Sequence, residues 1–505
     1  MTEQTAADWH ARAAGIKPHT RPFIDGAFTD SRSGQRFETR NPATGEVLAQ
    51  VQACNAQDVD LAVAAARTAF DHGDWSRCAT AQRKDALLAI AAQIRAHADE
   101  LALLDSLDAG KLLTEARGDV DEAAKLFQWF GEAQDKNYDE VAPIGPGTLA
   151  TITHEPAGVV GAIVAWNYPL HNASVKLAPA LAAGNSVVLK PSEDTPLSAL
   201  RLAELCRDAG LPDGVFNVVP GLGGVAGKAI GLHPAIDVVG FTGSTVVGKQ
   251  LLHYSGDSNM KPVWLECGGK SPNIVFDDCD RLDQAVDCTL GGIFTNAGQV
   301  CSAHSRLLLQ RGIYEPFMER LLARARAIVA GDPLDPDSTL GAIINDRQHA
   351  RIMDYIDRGK KEATLCLGGV STQVNGRGLY ITPTIFTDVP PDGVLAQEEI
   401  FGPVLAVIPF ETEDEAVALA NNSIYGLTAS VWTGRLGRAH RLTRAISAGT
   451  VAVNTVDAVS LQTPFGGTKQ SGIGRDYSSH GMRKYMSQKT SWIEFNTHAD
   501  GAAHD

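Results

Sequence analysis

The chain has 505 residues, and its 59 acidic side chains outnumber 44 Lys and Arg to give a formal charge of −15. At ~150 residues per folded unit there is room for roughly three units with large cores, and the 44% hydrophobic and 20% charged content is that of an ordered globular protein. The acidic balance excludes a generally basic binder of nucleic acid or anionic membrane; with no apolar run of ~18 residues and no leader-like core in Met1 to Gly15, a cytoplasmic location and no membrane or nucleic-acid partner are expected.

In chain order, the segment to about Gly26 reads as irregular, and residues 41–52 as a turn followed by a strand. From Ala56 to Gln134 an Ala-rich stretch has helical periodicity, as in Leu87, Ile90, Ala91 and Ile94, punctuated by Gly110 and Gly118. Pro143 to Gly147 reads as a boundary. Beyond it, short apolar runs lead into helical segments: Gly158 to Ala165 with a helix after Pro169, Ser186 to Leu189 with Pro196 to Ala209, Val215 to Val219 with Val225 to Ile230, and Ile236 to Gly240 with Ser244 to Tyr254. A second series starts at Asn273 to Phe276, with helices at 280–297 and 313–330 and a strand at Val404 to Pro409. Such repetition implies parallel strands with right-handed crossovers, hence an α/β fold with at least two doubly wound units. Ser487 to Phe495 reads as an added strand.

Eight cysteines (Cys54, Cys78, Cys206, Cys267, Cys279, Cys288, Cys301 and Cys366) have no Cys-x-x-Cys spacing, and no cluster suits a metal. They read as reduced, mostly buried thiols, so a reactive one must be singled out by its context. Six segments supply context. Ala165-Trp166-Asn167-Tyr168-Pro169-Leu170 lies at the end of a strand, where α/β sheets place ligands, and the Asn167 amide could donate to an oxyanion. Val188-Leu189-Lys190-Pro191-Ser192-Glu193 follows a strand with a cation and a carboxylate suited to a nucleotide; the carboxylate binds a ribose diol and repels a 2′-phosphate, which favours NAD over NADP. Gly240-Phe241-Thr242-Gly243-Ser244-Thr245 places small residues at a helix start that a phosphate can approach. The competing Gly221-Leu222-Gly223-Gly224-Val225-Ala226 matches a dinucleotide fingerprint, but its following acid, Asp237, comes too early. The remaining three are Leu265-Glu266-Cys267-Gly268-Gly269-Lys270-Ser271-Pro272, Asn296-Ala297-Gly298-Gln299-Val300-Cys301-Ser302 and Gln397-Glu398-Glu399-Ile400-Phe401-Gly402-Pro403-Val404.

In this order, and with the later Pro464-Phe465-Gly466-Gly467-Thr468-Lys469-Gln470-Ser471-Gly472, these segments resemble the aldehyde dehydrogenase superfamily from about Phe23 to Ile493. The resemblance implies that Cys301 is the nucleophile and Glu266 the general base. The Asn167 amide and the Cys301 N–H would form the oxyanion hole. Lys176 would serve a proton relay, with Asp476 standing where relatives often carry Glu. For the cofactor, NAD, Lys190, Ser192 and Glu193 would hold the adenosine ribose end, Gly243 and Ser244 the pyrophosphate, Glu398 the nicotinamide ribose and Phe401 the nicotinamide, with Trp166 and Gln348 close by. Tyr168, His171, Val175, Val300, Ser302, Asp457, Val459 and Phe465 would line the aldehyde tunnel.

The fold so implied has two Rossmann-like domains, an NAD-binding one of residues 1–141 and 160–267 and a catalytic one of 268–474, plus a small β oligomerisation element of 142–159 and 475–505, in a homodimer or homotetramer. Valines at 175 and 459, where relatives often carry aromatics, suggest a wide tunnel and a bulky or long aldehyde. Asp8-Trp9-His10 and Phe23-Ile24-Asp25-Gly26 look like γ-glutamyl-γ-aminobutyraldehyde and related aminoaldehyde dehydrogenases, with Asp119, Asp121 and Glu122 as acidic groups for a cationic substrate. Aromatic, terpenoid and betaine aldehydes are the rival substrates. A CoA-acylating dehydrogenase, which generally lacks the base, and a non-enzymatic protein, which would lose Cys301 or Glu266, are the rival functions.

Overall fold

The computed structural model describes residues 5–495; the outer ends of the expected domain ranges, 1–4 and 496–505, lie outside the described residues. Five parallel strands form the centre of an eight-stranded sheet, in the order Phe216–Val218, Ser186–Lys190, Val159–Ile163, Val238–Thr242 and Val263–Glu266. Every residue of Val159–Ile163 and Ser186–Lys190 is buried, as befits strands covered on both faces. Phe23–Ile24 and Ala27–Phe28 add an antiparallel edge, while the parallel part starts at Val159–Ile163 and builds outward first to one side, then to the other. That leaves a topological switch point beside Val238–Thr242, where open α/β sheets bind ligands beyond the strand ends.

The second series forms a seven-stranded sheet around Pro272–Val275, Arg306–Gln310, Val404–Phe410 and Thr428–Trp432, parallel except for its edge strand Thr364–Leu367. A third sheet pairs Met486–Glu494 with Thr148–Pro156 over nine residues, and Thr148–Pro156 with Glu140–Ala142. Each of the first two sheets has its own large apolar core.

Several edges differ from the sequence reading. The opening segment contains the helix Ala6–Ala14, started by a capping box between Thr5 and Asp8 and anchored by buried Trp9. The Ala-rich stretch is four helices, Ala56–Asp71, Thr80–Ala96, Ala98–Ala109 and Leu113–Glu132. Gly110 does end a helix, in a left-handed conformation at φ 71°. Gly118 does not; it lies inside Leu113–Glu132, where packing overrides its low propensity. Pro143 to Gly147 is the turn of a hairpin within the third sheet. Glu140 and Val141, expected in the first unit, join Ala142 in that sheet. Val159 and Gly472–Ile473, expected elsewhere, pair in the eight-stranded one.

Candidate active site

A cavity of about 860 Å³ opens at the switch point and runs between the two large sheets. At one end Lys190, at the tip of its strand, donates to Glu193 at 2.8 Å, and Ser192 lies beside them. Ser244 caps Thr245–Gly256 by accepting the Val247 N–H at 3.3 Å, so this helix presents its remaining free N–H groups to the cavity wall. Gly243 lies where any Cβ would strike the Phe241 ring. Of the run Gly221 to Ala226 only Gly223 reaches the cavity, and its N–H donates to Glu193 at 3.3 Å. Trp166 and Phe401 meet edge to face at 5.2 Å nearer the middle, and Gln348 is tied there through the Phe401 carbonyl at 2.9 Å. A carboxylate for a ribose diol, N–H groups for a pyrophosphate and an aromatic pair for a flat ring together fit a nicotinamide dinucleotide.

One expected cofactor residue, Glu398, does not line the cavity. Glu398 points away from the cavity, accepting from the Tyr355 hydroxyl at 2.7 Å and from Arg358 at 3.4 Å. Its neighbour Glu399 lines the wall and accepts the Gly269 N–H at 3.0 Å. Consecutive residues after the short helix Val394–Gln397 face opposite ways, and only the second faces inward.

At the other end, Cys301 lies partly buried on a loop with three successive left-handed residues, Asn296 (φ 49°), Ala297 (φ 53°) and Gly298 (φ 73°). Gln299 holds this unusual path. Its amide donates to the carbonyls of Asn296 and Ala342, both at 3.1 Å, and accepts the Ile344 N–H at 3.0 Å. The glycines of the Glu266 segment answer the same loop: a Cβ on Gly268 would strike the Glu399 carboxylate, and one on Gly269 the Cys301 carbonyl.

Asn167 is fixed on every side. Its carbonyl accepts from Lys111 at 3.2 Å and Asn296 at 3.0 Å, its Oδ1 from Asn172 at 3.3 Å, and its Nδ2 donates to the Gln299 carbonyl at 2.9 Å. The second N–H of that amide is left for an incoming oxygen. Glu115 adds a buried brace, accepting the Asn296 N–H at 2.8 Å.

Glu266 ends its strand in the cavity with both carboxyl oxygens buried and without a hydrogen-bond partner among the described residues. Burial, reinforced by the Asp476 carboxylate, raises its pKa to about 8 against the opposing pull of Lys176, Lys484 and Arg475. Burial and the carboxyls of Glu266, Glu399 and Asp457 likewise push the Cys301 thiol well up, so it is protonated at rest. Lys176 is not in the cavity wall. It is buried behind it, donating to Asp476 at 2.7 Å, and Asp476 is what faces the space.

The tunnel residues Tyr168, His171, Val175, Val300, Ser302, Asp457, Val459 and Phe465 all line this end. Tyr477, which the sequence reading missed, lines it too and shares a hydrogen bond with His171 at 3.1 Å. Of the acidic helix face, Asp119 and Glu122 reach the cavity but Asp121 does not. Both are already paired, Asp119 with fully buried Lys111 and Glu122 with Lys125 at 2.7 Å. Asp457 is exposed, and its carboxylate has no partner among the described residues. No group of His, Cys, Asp and Glu that could hold a metal occurs among them either.

A nucleotide-sized cleft at the switch point of a doubly wound sheet, ending at a cysteine, a carboxyl and an amide, is that of an α/β dehydrogenase. The aldehyde dehydrogenase family model matches residues 28–491, and the chain belongs to that family. It is 49% identical to the NADP/NAD-dependent aldehyde dehydrogenase PuuC of Escherichia coli over 96% of this chain and 98% of the relative. The γ-glutamyl-γ-aminobutyraldehyde dehydrogenase of Burkholderia cenocepacia superposes with a TM-score of 0.96 at 50% identity, over 97% of this chain and 100% of that one. A cysteine-to-alanine mutant of P. syringae indole-3-acetaldehyde dehydrogenase AldA, in complex with NAD+ and IAA, gives 0.97 at 47% identity, over 98% and 100%. Family membership carries the reaction class, oxidation of an aldehyde with a nicotinamide dinucleotide.

Proposed function

We propose that this enzyme oxidises a bulky or long aldehyde, an aminoaldehyde foremost, to its carboxylic acid with NAD, through covalent intermediates on Cys301 hydrolysed with the help of Glu266. The observation that carries this reading is the meeting of Cys301, Asn167 and the partnerless Glu266 carboxyl in one cavity with the Lys190–Glu193 nucleotide end. The Cys301 sulfur adds to the aldehyde carbon as its proton leaves for solvent, and the oxygen develops charge against the Asn167 amide and the Cys301 N–H. Lys190, Ser192, Glu193, Gly243 and Ser244 would hold NAD, with Glu399 and Phe401 at its nicotinamide end, and when bound it would supply the hydride acceptor. The thiohemiacetal thereby becomes a thioester. Glu266 takes a proton from water as that water bonds to the thioester carbon; the carbon–sulfur bond breaks, and acid and thiol result.

The tunnel supports a wide substrate. Val175 and Val459 leave space where aromatics would close it, Val459 is 44% exposed, and Asp457 puts an unpaired carboxylate at the mouth. An aromatic aldehyde is the second reading, favoured by the rings of Tyr168, Phe465 and Tyr477 in the same wall. Transfer of the thioester to CoA is the reading from another reaction class, and the Glu266 base speaks against it. NADH formation over a panel of aminoaldehydes, aromatic and short aliphatic aldehydes, each with NAD and NADP and with and without CoA, is the test. We expect the highest kcat/KM for an aminoaldehyde with NAD, independent of CoA. A preference for acetaldehyde would overturn the wide tunnel, and a requirement for CoA the hydrolytic step.

The same proposal assigns residues 1–141 and 160–267 to cofactor binding and 268–474 to catalysis, with the edges shifted as the sheets dictate, and 142–159 with 475–505 to assembly of a homodimer or homotetramer. Its supports are the free nine-residue edge of Met486–Glu494 and the exposed Trp492, Ile493 and Phe495. No described helix is long and apolar enough to cross a membrane, and a cytoplasmic location completes the proposal.

A further inference from the structure

Asp476 is held by two buried lysines. Lys176 donates to one of its oxygens at 2.7 Å, and Lys484 donates to the other. The three side chains are 5%, 1% and 6% exposed for Asp476, Lys176 and Lys484, so this is a charged cluster inside the protein, with one more cation than anion. Burial on this scale is costly unless the geometry is tightly kept. The chain keeps it from three directions. Lys176 comes from the helix Pro169–Ala182, which also begins the tunnel wall. Asp476 is tied through its backbone to Phe465 by reciprocal hydrogen bonds of 2.9 and 2.7 Å. Lys484 follows the helix Ser478–Arg483, and its carbonyl is gripped by the Trp264 indole at 2.7 Å, on the strand that ends at Glu266. Trp264 thus links Lys484 mechanically to the base.

We propose that Lys484 is a positioning residue of the hydrolytic step: together with Lys176 it clamps the Asp476 carboxylate at a fixed place in the cavity wall beside Glu266 and sets how readily Glu266 takes the proton of the attacking water. The inference rests on the reading of Cys301 and Glu266 given above. One lysine suffices to neutralise an aspartate, and Lys176 already does so. The second lysine leaves a net positive charge behind Glu266, which the general reaction does not require.

Burial alone would raise Asp476, yet Lys176 and Lys484 outweigh it and hold this acid down at about 2, so it stays an anion throughout the working range. Around Glu266 the charges are Asp476, which raises its proton affinity, and Lys176, Lys484 and Arg475, which lower it; Cys301, Tyr477 and Cys267, near the same carboxyl, are uncharged at neutral pH because burial pushes all three up. Loss of Lys484 therefore removes a cation and makes Glu266 harder to deprotonate. Hydrolysis needs the deprotonated form, so the rising limb of its pH profile must move upward.

The test is decay of the Cys301 acyl-enzyme in single-turnover stopped-flow experiments with NAD and a good aldehyde, from pH 6 to 10, for wild type, Lys484→Met and Lys484→Arg. Removing one of the cations that lower the proton affinity of Glu266 should move the Lys484→Met limb up by about one pH unit and lower its decay at pH 7 ~10-fold, with Lys484→Arg close to wild type. Acylation, read as the rate of the NADH burst, should hardly change. If Lys484→Met does not accumulate as folded protein, Lys484→Gln, which keeps a donor for Asp476 and drops the charge, takes its place. An unmoved limb with a lowered thermal midpoint would make Lys484 structural only and overturn the proposal. Absence of any acyl-enzyme in wild type would instead overturn the covalent mechanism on which it rests.

Discussion

Both oxygens of Glu266 are buried and without a partner among the described residues, an arrangement that costs roughly 1–3 kcal/mol for each unsatisfied group and persists where a carboxyl must be free to gain and lose a proton. With its pKa raised to about 8, Glu266 is mostly protonated at neutral pH. Steady-state turnover limited by hydrolysis should therefore rise through about pH 8 and level off above it. Glu266→Gln should release close to one NADH per active site and then slow by ~10²–10⁴, the usual worth of a general base; stopped-flow absorbance separates the burst from the steady rate. Turnover in that variant at the wild-type rate would remove Glu266 from the mechanism. Asn167 belongs to the same scale. Asn167→Ala should lower kcat by ~10²–10³, as the loss of one oxyanion donor does, with little change in NAD affinity measured by quenching of Trp fluorescence.

The loop from Asn296 to Ser302 is the element on which the site depends. Three left-handed residues in a row are unfavourable for any but glycine, and two of them here are Asn and Ala. The Gln299 amide holds the loop through three hydrogen bonds, with a further brace from Glu115. Gln299→Ala leaves buried carbonyl and N–H groups unpaired at about 1–3 kcal/mol each. We expect a thermal midpoint several degrees lower and a fall in kcat larger than the rise in KM, by scanning calorimetry and initial rates; unchanged kcat would mean that the loop keeps its shape without Gln299. This element also shows what a sequence can convey. The family resemblance of the segments around Cys301 and Glu266 marks them as candidates, and the strand-end motifs mark Asn167, Lys190 and Ser244. Partners such as Lys111, which donates to the Asn167 carbonyl, and Glu115, which braces the loop before Cys301, come from distant segments, and only the folded chain brings them together. Glu398 and Glu399 illustrate the other limit. Adjacent identical residues have no pattern that separates them, and only the direction in which the chain leaves a short helix decides which one faces the cavity.

For the whole molecule, the strand repetition made the doubly wound α/β architecture legible, because buried parallel strands read as unbroken apolar runs. The first helix, Ala6–Ala14, is hard to read because Trp9 is the single large apolar side chain among its nine residues and the rest of its inner stripe is alanine. The third sheet ends in an edge strand whose Trp492 and Ile493 are 56% and 50% exposed. Exposed edges of this kind invite pairing with a second chain. Ile493→Asp should shift the homo-oligomer toward smaller species in light scattering coupled to size exclusion, leaving Cys301 chemistry intact per chain. A wild-type monomer, or an oligomer unaffected by the change, would contradict the assembly role.

The central claim is that the aldehyde carbon is bonded to Cys301 before the acid is released. Rapid quenching of Glu266→Gln with NAD and an aminoaldehyde, followed by peptide mass spectrometry, tests it most directly. One acyl group per chain is expected, on the peptide bearing Cys301, with one equivalent of NADH. NADH formed without an adduct, or an adduct on Cys267 or any other residue, would contradict it.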